Sequence, residues 1–185
     1  TVPTEKSRNG HIAVAADGSS WIWTPDRSEA YLTRDKGASW QSCRGLPKNI
    51  RVIADKVNPQ RFYAVDAVAE ILYSSEDGGA TFHADTLNLT VKRFQQRGNA
   101  GAAVRRGDPR GGQDRIYATP GHEKDLWIAA YDGLYRSAAS EKFDFRALDK
   151  VRTIYAFGFG KAKPGNDYPA IYLIGVVNGQ YGFFR

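Results

Sequence analysis

The sequence predicts an all-β fold of the propeller type, and three observations carry that expectation. A turn motif recurs at the spacing of one four-stranded blade. Short strands of alternating pattern follow one another between Gly, Asn, Asp and Pro turns. The composition has 19 Gly and 12% aromatic residues among 185, and no run reads as a helix of any length. Glycine-rich turns between β-branched and aromatic runs favour strands over helices. With 42% hydrophobic and 25% charged residues, the chain can bury a core and stay in solution.

The repeat comes first, because its period sets the architecture. Thr33-Arg34-Asp35-Lys36-Gly37-Ala38-Ser39-Trp40 aligns with Ser75-Glu76-Asp77-Gly78-Gly79-Ala80-Thr81-Phe82, 42 residues later. The shared form, S/T-x-D-x-G-x-S/T-aromatic, is an Asp box. Its aspartate can accept hydrogen bonds from backbone N–H groups of its own turn. Its glycine supplies a backbone conformation that a Cβ opposes. The hydroxyl residue satisfies another turn group, and the aromatic is expected to plug between blades. Asp35 and Asp77 therefore read as structural. A third copy has decayed: Gly133-Leu134-Tyr135-Arg136-Ser137 resembles Ile71-Leu72-Tyr73-Ser74-Ser75, but the following Ala138-Ala139-Ser140-Glu141-Lys142-Phe143-Asp144-Phe145 has no Asp or Gly in place and is one residue longer. Gly182-Phe183-Phe184-Arg185 reads as the approach to a fourth.

The strands follow from alternation between turn signals. A first blade, about residues 10–43, has strands at 11–16, 21–24, 30–33 and 39–42. A second, about 50–86, has strands at 51–57, 61–66, 70–75 and 81–84. A third, about 114–148, has strands at 115–119, 126–130, 134–137 and 143–147. A fourth, about 152–185, has strands at 154–158, 170–176 and 182–185, without its outer strand. An insertion rich in Gly, Arg and Gln covers 87–113. Closing the ring removes exposed sheet edges, so this partial β-propeller is expected to be completed by remaining blades of the same protein or by another chain.

Charge and composition exclude several functions. The net charge is +6, and much of the excess lies between Lys92 and Arg115. That stretch holds a single aromatic, Phe94, whereas a nucleic-acid platform interleaves basic residues with aromatics, so no nucleic acid is expected. No 18-residue apolar run occurs, so no membrane span is expected. Cys43 stands alone and reads as a small half-buried packing residue. One Cys with His11, His83 and His122 gives no zinc pattern, and no metal or other cofactor is expected. Asn88-Leu89-Thr90 is a glycosylation sequon, meaningful only in a eukaryotic secretory pathway.

In a four-stranded meander the first and third hairpins share one face, and the Asp boxes sit on the third. The opposite face carries the middle hairpins, at 23–29, 66–69, 131–133 and 178–181, joined by the links 44–50 and 87–113. Asp132-Gly133 and Asn178-Gly179 are two-residue turn signals. Asp66, followed by Ala67, has less need to be a turn residue and is a candidate acceptor for a sugar hydroxyl. Tyr131 and Tyr181 hold loop positions suited to stacking on a pyranose ring. Trp21 and Trp23 point to one side of their strand; packing between blades accounts for both, and Trp23 is also a candidate sugar platform. The candidate substrate-binding residues are thus Tyr131, Tyr181, Trp23 and Asp66.

A further set of phrases is more specific than the Asp box. They are Ile12-Ala13-Val14-Ala15-Ala16-Asp17-Gly18-Ser19, Trp21-Ile22-Trp23-Thr24-Pro25, Gly45-Leu46-Pro47 and Asp55-Lys56-Val57-Asn58-Pro59-Gln60-Arg61-Phe62-Tyr63-Ala64. Asp125-Leu126-Trp127-Ile128-Ala129, Gly158-Phe159-Gly160-Lys161-Ala162 and Tyr168-Pro169-Ala170-Ile171-Tyr172-Leu173-Ile174-Gly175 follow. In this order the sequence resembles glycoside hydrolase family 74, the xyloglucanases and oligoxyloglucan hydrolases, from about Gly10 to Arg185. The resemblance implies two seven-bladed propellers flanking a cleft, with this stretch in the later blades of the second. It implies a xyloglucan or other β-glucan substrate, an extracellular or periplasmic setting, and inversion by two Asp residues, one from each propeller. Inversion requires those carboxylates to be roughly 6.5–9.5 Å apart to seat a water. The family's second-propeller acid lies in a Gly-Asp-x-Gly-Gly-Phe-like segment that does not occur here, and Arg106-Gly107-Asp108-Pro109 does not match it. No catalytic residue is assigned within these positions; the segment is expected to supply cleft walls and to be inactive alone. Two other readings compete: a non-catalytic Asp-box propeller, such as a sortilin-like receptor or an assembly factor, and a sialidase, whose Arg triad and Tyr–Glu pair nothing here marks.

Overall fold

The computed structural model describes residues 3, 9–66, 69–87, 115–130, 133–138 and 141–185. It has two compact units, Thr1–Asp66 with Glu70–Thr86, and Ala67–Ala69 with Leu87–Arg185. The all-β expectation holds: the described residues form fifteen strands and no helix. The insertion expected at 87–113 lies, after Leu87, outside the described residues.

The first unit contains two antiparallel meanders. One is β1 (His11–Val14), β2 (Trp21–Thr24), β3 (Tyr31–Thr33) and β4 (Gln41–Ser42). The other is β5 (Val52–Ala54), β6 (Phe62–Asp66), β7 (Ile71–Ser75) and β8 (His83–Thr86). The period-2 alternation sorts the side chains. Ile22 pairs with Leu32 and Ala13, and all three are buried. They join Val52, Ala54, Phe62, Ala64 and Phe82 in one apolar cluster. Fully burying an Ile, Leu or Phe side chain contributes about 1.5–3 kcal/mol, so this cluster is the main favourable term in the unit. Trp21 and Trp23 take the other face, opposite Thr33 and Tyr31. There Ile12 and Val14 remain exposed.

The link that leaves β4 turns back onto the second meander. The Arg44 N–H donates to the Ala80 carbonyl at 2.9 Å, and the Phe82 N–H donates to the Arg44 carbonyl at 2.9 Å. The Arg44 guanidinium reaches the Thr81 hydroxyl at 3.1 Å. Arg34, inside the first repeat turn, donates to the Asp77 carbonyl of the second at 2.8 Å.

The second unit holds β9 (Arg115–Ala118), β10 (Leu126–Ala130), β11 (Gly133–Ser137) and β12 (Arg146–Ala147), and a three-stranded sheet of β13 (Val151–Gly160), β14 (Ala170–Val177) and β15 (Gln180–Phe184). Trp127, Ala129 and Leu134 pack with Ile154 and Leu173, with Phe157 and Tyr168 against them. β13 runs to ten residues, longer than the stretch 154–158 that alternation suggests. Two register shifts, between Val151/Thr153 and Ile154/Ala156, account for the early part: bulges interrupt the alternation without ending the pairing, and at the other end Phe159 and Gly160 continue the regular register with Ile171 and Ala170. Asn178 and Gly179, at φ 51° and 78°, form the two-residue turn between β14 and β15, as their sequence predicts.

Gly45 tests the link. It has φ +81°, and a Cβ there would fall on the Phe82 carbonyl oxygen. Gly18 has a similar φ of +76° with open space around it. Gly18→Ala is expected to cost the left-handed penalty of about 1–2 kcal/mol. Gly45→Ala is expected to cost distinctly more in urea unfolding, because the backbone of two segments must separate.

Candidate functional site

The two repeat turns share one hydrogen-bond lattice. In the first, the Asp35 carboxylate accepts from the Ser39 N–H at 2.8 Å, the Ser39 hydroxyl at 2.5 Å and the Thr33 hydroxyl at 2.7 Å. The Thr33 oxygen accepts from the Gly37 N–H at 2.9 Å. In the second, Asp77 accepts from Thr81 N–H at 2.9 Å, Ala80 N–H at 3.0 Å and the Ser75 hydroxyl at 2.8 Å. Ser75 accepts from Gly79 N–H at 3.0 Å. The Ser39 hydroxyl and N–H, then the Thr33 hydroxyl, lower the Asp35 carboxyl to about 2. For Asp77, partial burial pushes upward, but the bonds from Thr81, Ser75 and Ala80 prevail and the net direction is down. These are carboxylates fixed in the charged form by their own turns. The motif's aromatics differ in position. Phe82 plugs into the core between the two meanders, as the repeat suggests. Trp40 is half-buried instead, edge-on to Trp23 with ring centroids 6.1 Å apart, and its Nε1–H donates to the Gly37 carbonyl at 3.1 Å.

The residues singled out for substrate binding fall in different settings. Asp66 ends β6, opposite Ile71 at the middle hairpin. Burial, then the Asp66 charge, raises the Tyr73 hydroxyl. Trp23 is half-buried beside Tyr31, with centroids 6.3 Å apart, and its Nε1–H reaches the Asn9 carbonyl at 3.3 Å. Tyr181 is a residue of β15, opposite Val176 of β14 and next to the turn. It is 72% exposed, and Tyr155 supports it edge-on with centroids at 5.7 Å. Tyr131, Asp132, Asn88, Asp108 and the basic stretch 92–114 lie outside the described residues. Cys43 is half-buried against the core. Burial, then the Asp77 charge, pushes its thiol up to about 12, so it is a packing group and no nucleophile.

Two polar constellations were not visible in the sequence. The Tyr63 hydroxyl donates to the buried Asp55 carboxylate at 3.0 Å, and Asp55 also accepts from the N–H groups of Val57 and Asn58 at 2.8 and 3.0 Å. In the second unit, Arg136 donates through Nε and Nη2 to Asp125 at 3.1 and 2.5 Å. Its guanidinium lies 5.2 Å from the centroid of Trp127 and 4.7 Å from that of Tyr168. The Trp127 Nε1–H donates to the Tyr168 hydroxyl at 3.0 Å. An open cleft of about 640 Å³ beside the β13–β14 connection is bordered by Lys163, Asn166, Tyr168 and Arg185. Its two cations do not suit a neutral glucan.

Comparison with known proteins sets these features in context. Over 176 residues, 95% of its length, the chain is 36% identical to xyloglucanase Xgh74A of Acetivibrio thermocellus, and spans 18% of that protein. It is 31% identical over 189 residues to a xyloglucanase of a Paenibacillus species, spanning 16% of it. In structure it is similar to the glycoside hydrolase family 74 enzyme of Niastella koreensis, with a TM-score of 0.76 and 27% identity over all of this chain and 24% of that one. It is likewise similar to the family 74 xyloglucanase of Xanthomonas campestris, with a TM-score of 0.68 and 30% identity over 95% of this chain and 22% of that one. No family model matches the sequence. The resemblance to family 74 is carried by sequence and by fold alike, over a stretch that is a small part of those proteins.

The turn geometry fixes an expected pH response. Both turn carboxylates titrate lower in the folded chain than in the unfolded one. Their contribution is therefore full above the unfolded value of about 3.9. It is lost as pH falls through the folded value, about 2 for Asp35. Asp77→Ala is expected to lower stability at neutral pH by roughly 1–3 kcal/mol, since it leaves turn donors unpaired. It should also flatten the loss of stability below pH 4, read by thermal melts from pH 7 to 2. A melting profile parallel to the parent's at every pH would refute the assignment.

Proposed function

We propose that this chain is a segment of a family 74 xyloglucan hydrolase, where it walls the substrate cleft and leaves the acid–base pair to other parts of the protein. The observation that carries this is 36% identity to a xyloglucanase across 95% of the chain. The chemistry agrees. The turn aspartates are consumed by their own backbones, and an inverting pair would need one protonated acid and one charged base seated around a water. We assign no catalytic residue among these positions.

The substrate is a neutral xyloglucan or related β-1,4-glucan oligosaccharide. We assign its contacts to Tyr131, Tyr181 and Trp23 by ring stacking, and to Asp66 as acceptor of a sugar hydroxyl. The exposure of Tyr181 and its support by Tyr155 favour it most; Trp23 has its indole N–H engaged and two ring neighbours, Tyr31 and Trp40. The remaining blades of the protein are the second partner. Tyr172 and Phe183 leave part of the outer face of the β13–β15 sheet apolar and exposed, as Ile12 and Val14 do on the β1–β4 sheet. Exposed apolar patches of this kind mark surfaces that are covered in the working protein. A polymeric plant glucan cannot enter a cell, so the setting we propose is extracellular or periplasmic.

Two outcomes test the reading. The purified 185-residue chain is expected to release no sugar from xyloglucan; turnover would place an acid–base pair inside it. In the complete enzyme, Tyr181→Ala is expected to weaken binding of xyloglucan oligosaccharides in calorimetry. Stacking on this neutral ligand should be insensitive to salt, unlike binding to a phosphate, which weakens steeply as salt rises. Unchanged affinity would make Tyr181 a packing residue of the sheet face, and salt-sensitive binding would point to an anionic partner.

A further inference from the structure

We propose that Arg136 is a clasp between the β9–β12 and β13–β15 sheets, and that it compensates for the turn aspartate missing from the third repeat. Where the second repeat has Glu76 and Asp77, the third has Ala138 and Ala139. Part of the turn's work survives: the Ser137 hydroxyl accepts from the Asp144 N–H at 2.9 Å, and Phe145 is buried as Phe82 is. The carboxylate that gathers the turn's N–H groups does not.

Asp125 occupies the place in the third repeat that Arg61 holds in the second. The Thr119 N–H donates to its carbonyl at 2.9 Å, as the Asp55 N–H donates to that of Arg61 at 3.0 Å. Arg61 pairs with Glu76, the residue after the turn hydroxyl. Asp125 pairs with Arg136, the residue before it. The charges are exchanged, and the partner moves from one side of the hydroxyl residue to the other. On the strand, Arg136 lies opposite Trp127, so its side chain shares a face with that indole. That face packs on the neighbouring sheet, and Tyr168, in the connection between β13 and β14, covers the guanidinium.

Only arginine meets all of these demands. Asp125 has a side chain just 4% exposed, and a buried carboxylate requires a compensating charge. The planar guanidinium binds it through two N–H groups and lies over two aromatic rings, those of Trp127 and Tyr168. The Trp127–Tyr168 hydrogen bond closes the loop between the sheets. One side chain thus joins the first hairpin of its own sheet to the β13–β14 connection of the next, at the repeat whose sequence lacks the turn aspartate.

The test uses the full chain. Arg136→Met and Asp125→Asn are each expected to lower Tm by about 4 °C or more, given the usual scaling for a chain of this size. Arg136→Lys keeps the charge and is expected to recover less than half of the loss. The double change Arg136→Met with Asp125→Leu should cost clearly less than the sum of Arg136→Met and Asp125→Leu measured singly, because the two groups are coupled. The decisive variant rewrites residues 138–145 with the turn of the second repeat, residues 76–82, taking Gln for the Glu that would face position 125, in the Arg136→Met with Asp125→Leu background. Recovery of Tm by this graft supports compensation. Arg136→Lys melting with the parent, or a folded graft that recovers nothing, overturns the proposal.

Discussion

A carboxylate that gathers the N–H groups of its own hairpin is the interaction on which the first unit depends. Asp77 holds Ala80 and Thr81 in place. The tight turn that follows delivers Phe82 into the core between the two meanders. It also presents the Ala80 carbonyl and Phe82 N–H to the link at Arg44, and the Asp77 carbonyl to Arg34. Gly79, at φ +90°, approaches Ile22 closely enough that a Cβ would collide with its Cδ1. Core packing, the joint between meanders and a close side-chain approach therefore all begin at one turn. Each inherits its geometry from a charge that its surroundings keep ionised.

The fold was legible because its signals are local. Trp21, Ile22 and Trp23 announce a two-faced strand, and Asn178-Gly179 announces a hairpin, within a few residues. The Asp box announces its hydrogen bonds by residue type alone. What could not be read joins residues far apart in the chain. Arg136 and Asp125 are eleven apart and meet through the register of the β10–β11 pair, while Trp127 and Tyr168 are forty-one apart and only the stacking of one sheet on the next brings them together. The bulges in β13 hid its start for a related reason, since a shifted register breaks the alternation that marks a strand. Trp40 shows the limit of a motif: its sequence position matches Phe82, yet it packs against Trp23, on the face opposite the Ile22 core.

The candidate site was less legible than the fold. A loop position suggests a binding residue only if the side chain is exposed and unspent. Tyr181 meets the first condition, from a strand and not a loop. Trp23 is partly committed to Asn9 and to its ring neighbours. Asp66 sits at a hairpin end, where a carboxylate can face either its own turn or a ligand. Stacking faces for a sugar and packing faces for a neighbouring sheet are chemically alike, because both want a flat apolar ring. That ambiguity is physical: the same tyrosine serves either purpose, according to what lies above it.

The joint at Arg44 also bears on how the chain is born. Its backbone partners are supplied by the stretch around Thr81, thirty-seven residues further on. At a synthesis rate of about 5–20 residues per second, the link waits a few seconds for them. During that interval the first meander can pair its own strands, yet Ile22 and Leu32 have no Phe82 to cover them. The order of emergence from the ribosome thus leaves an apolar surface open until the second turn has closed. Whatever shields nascent chains must act in that window.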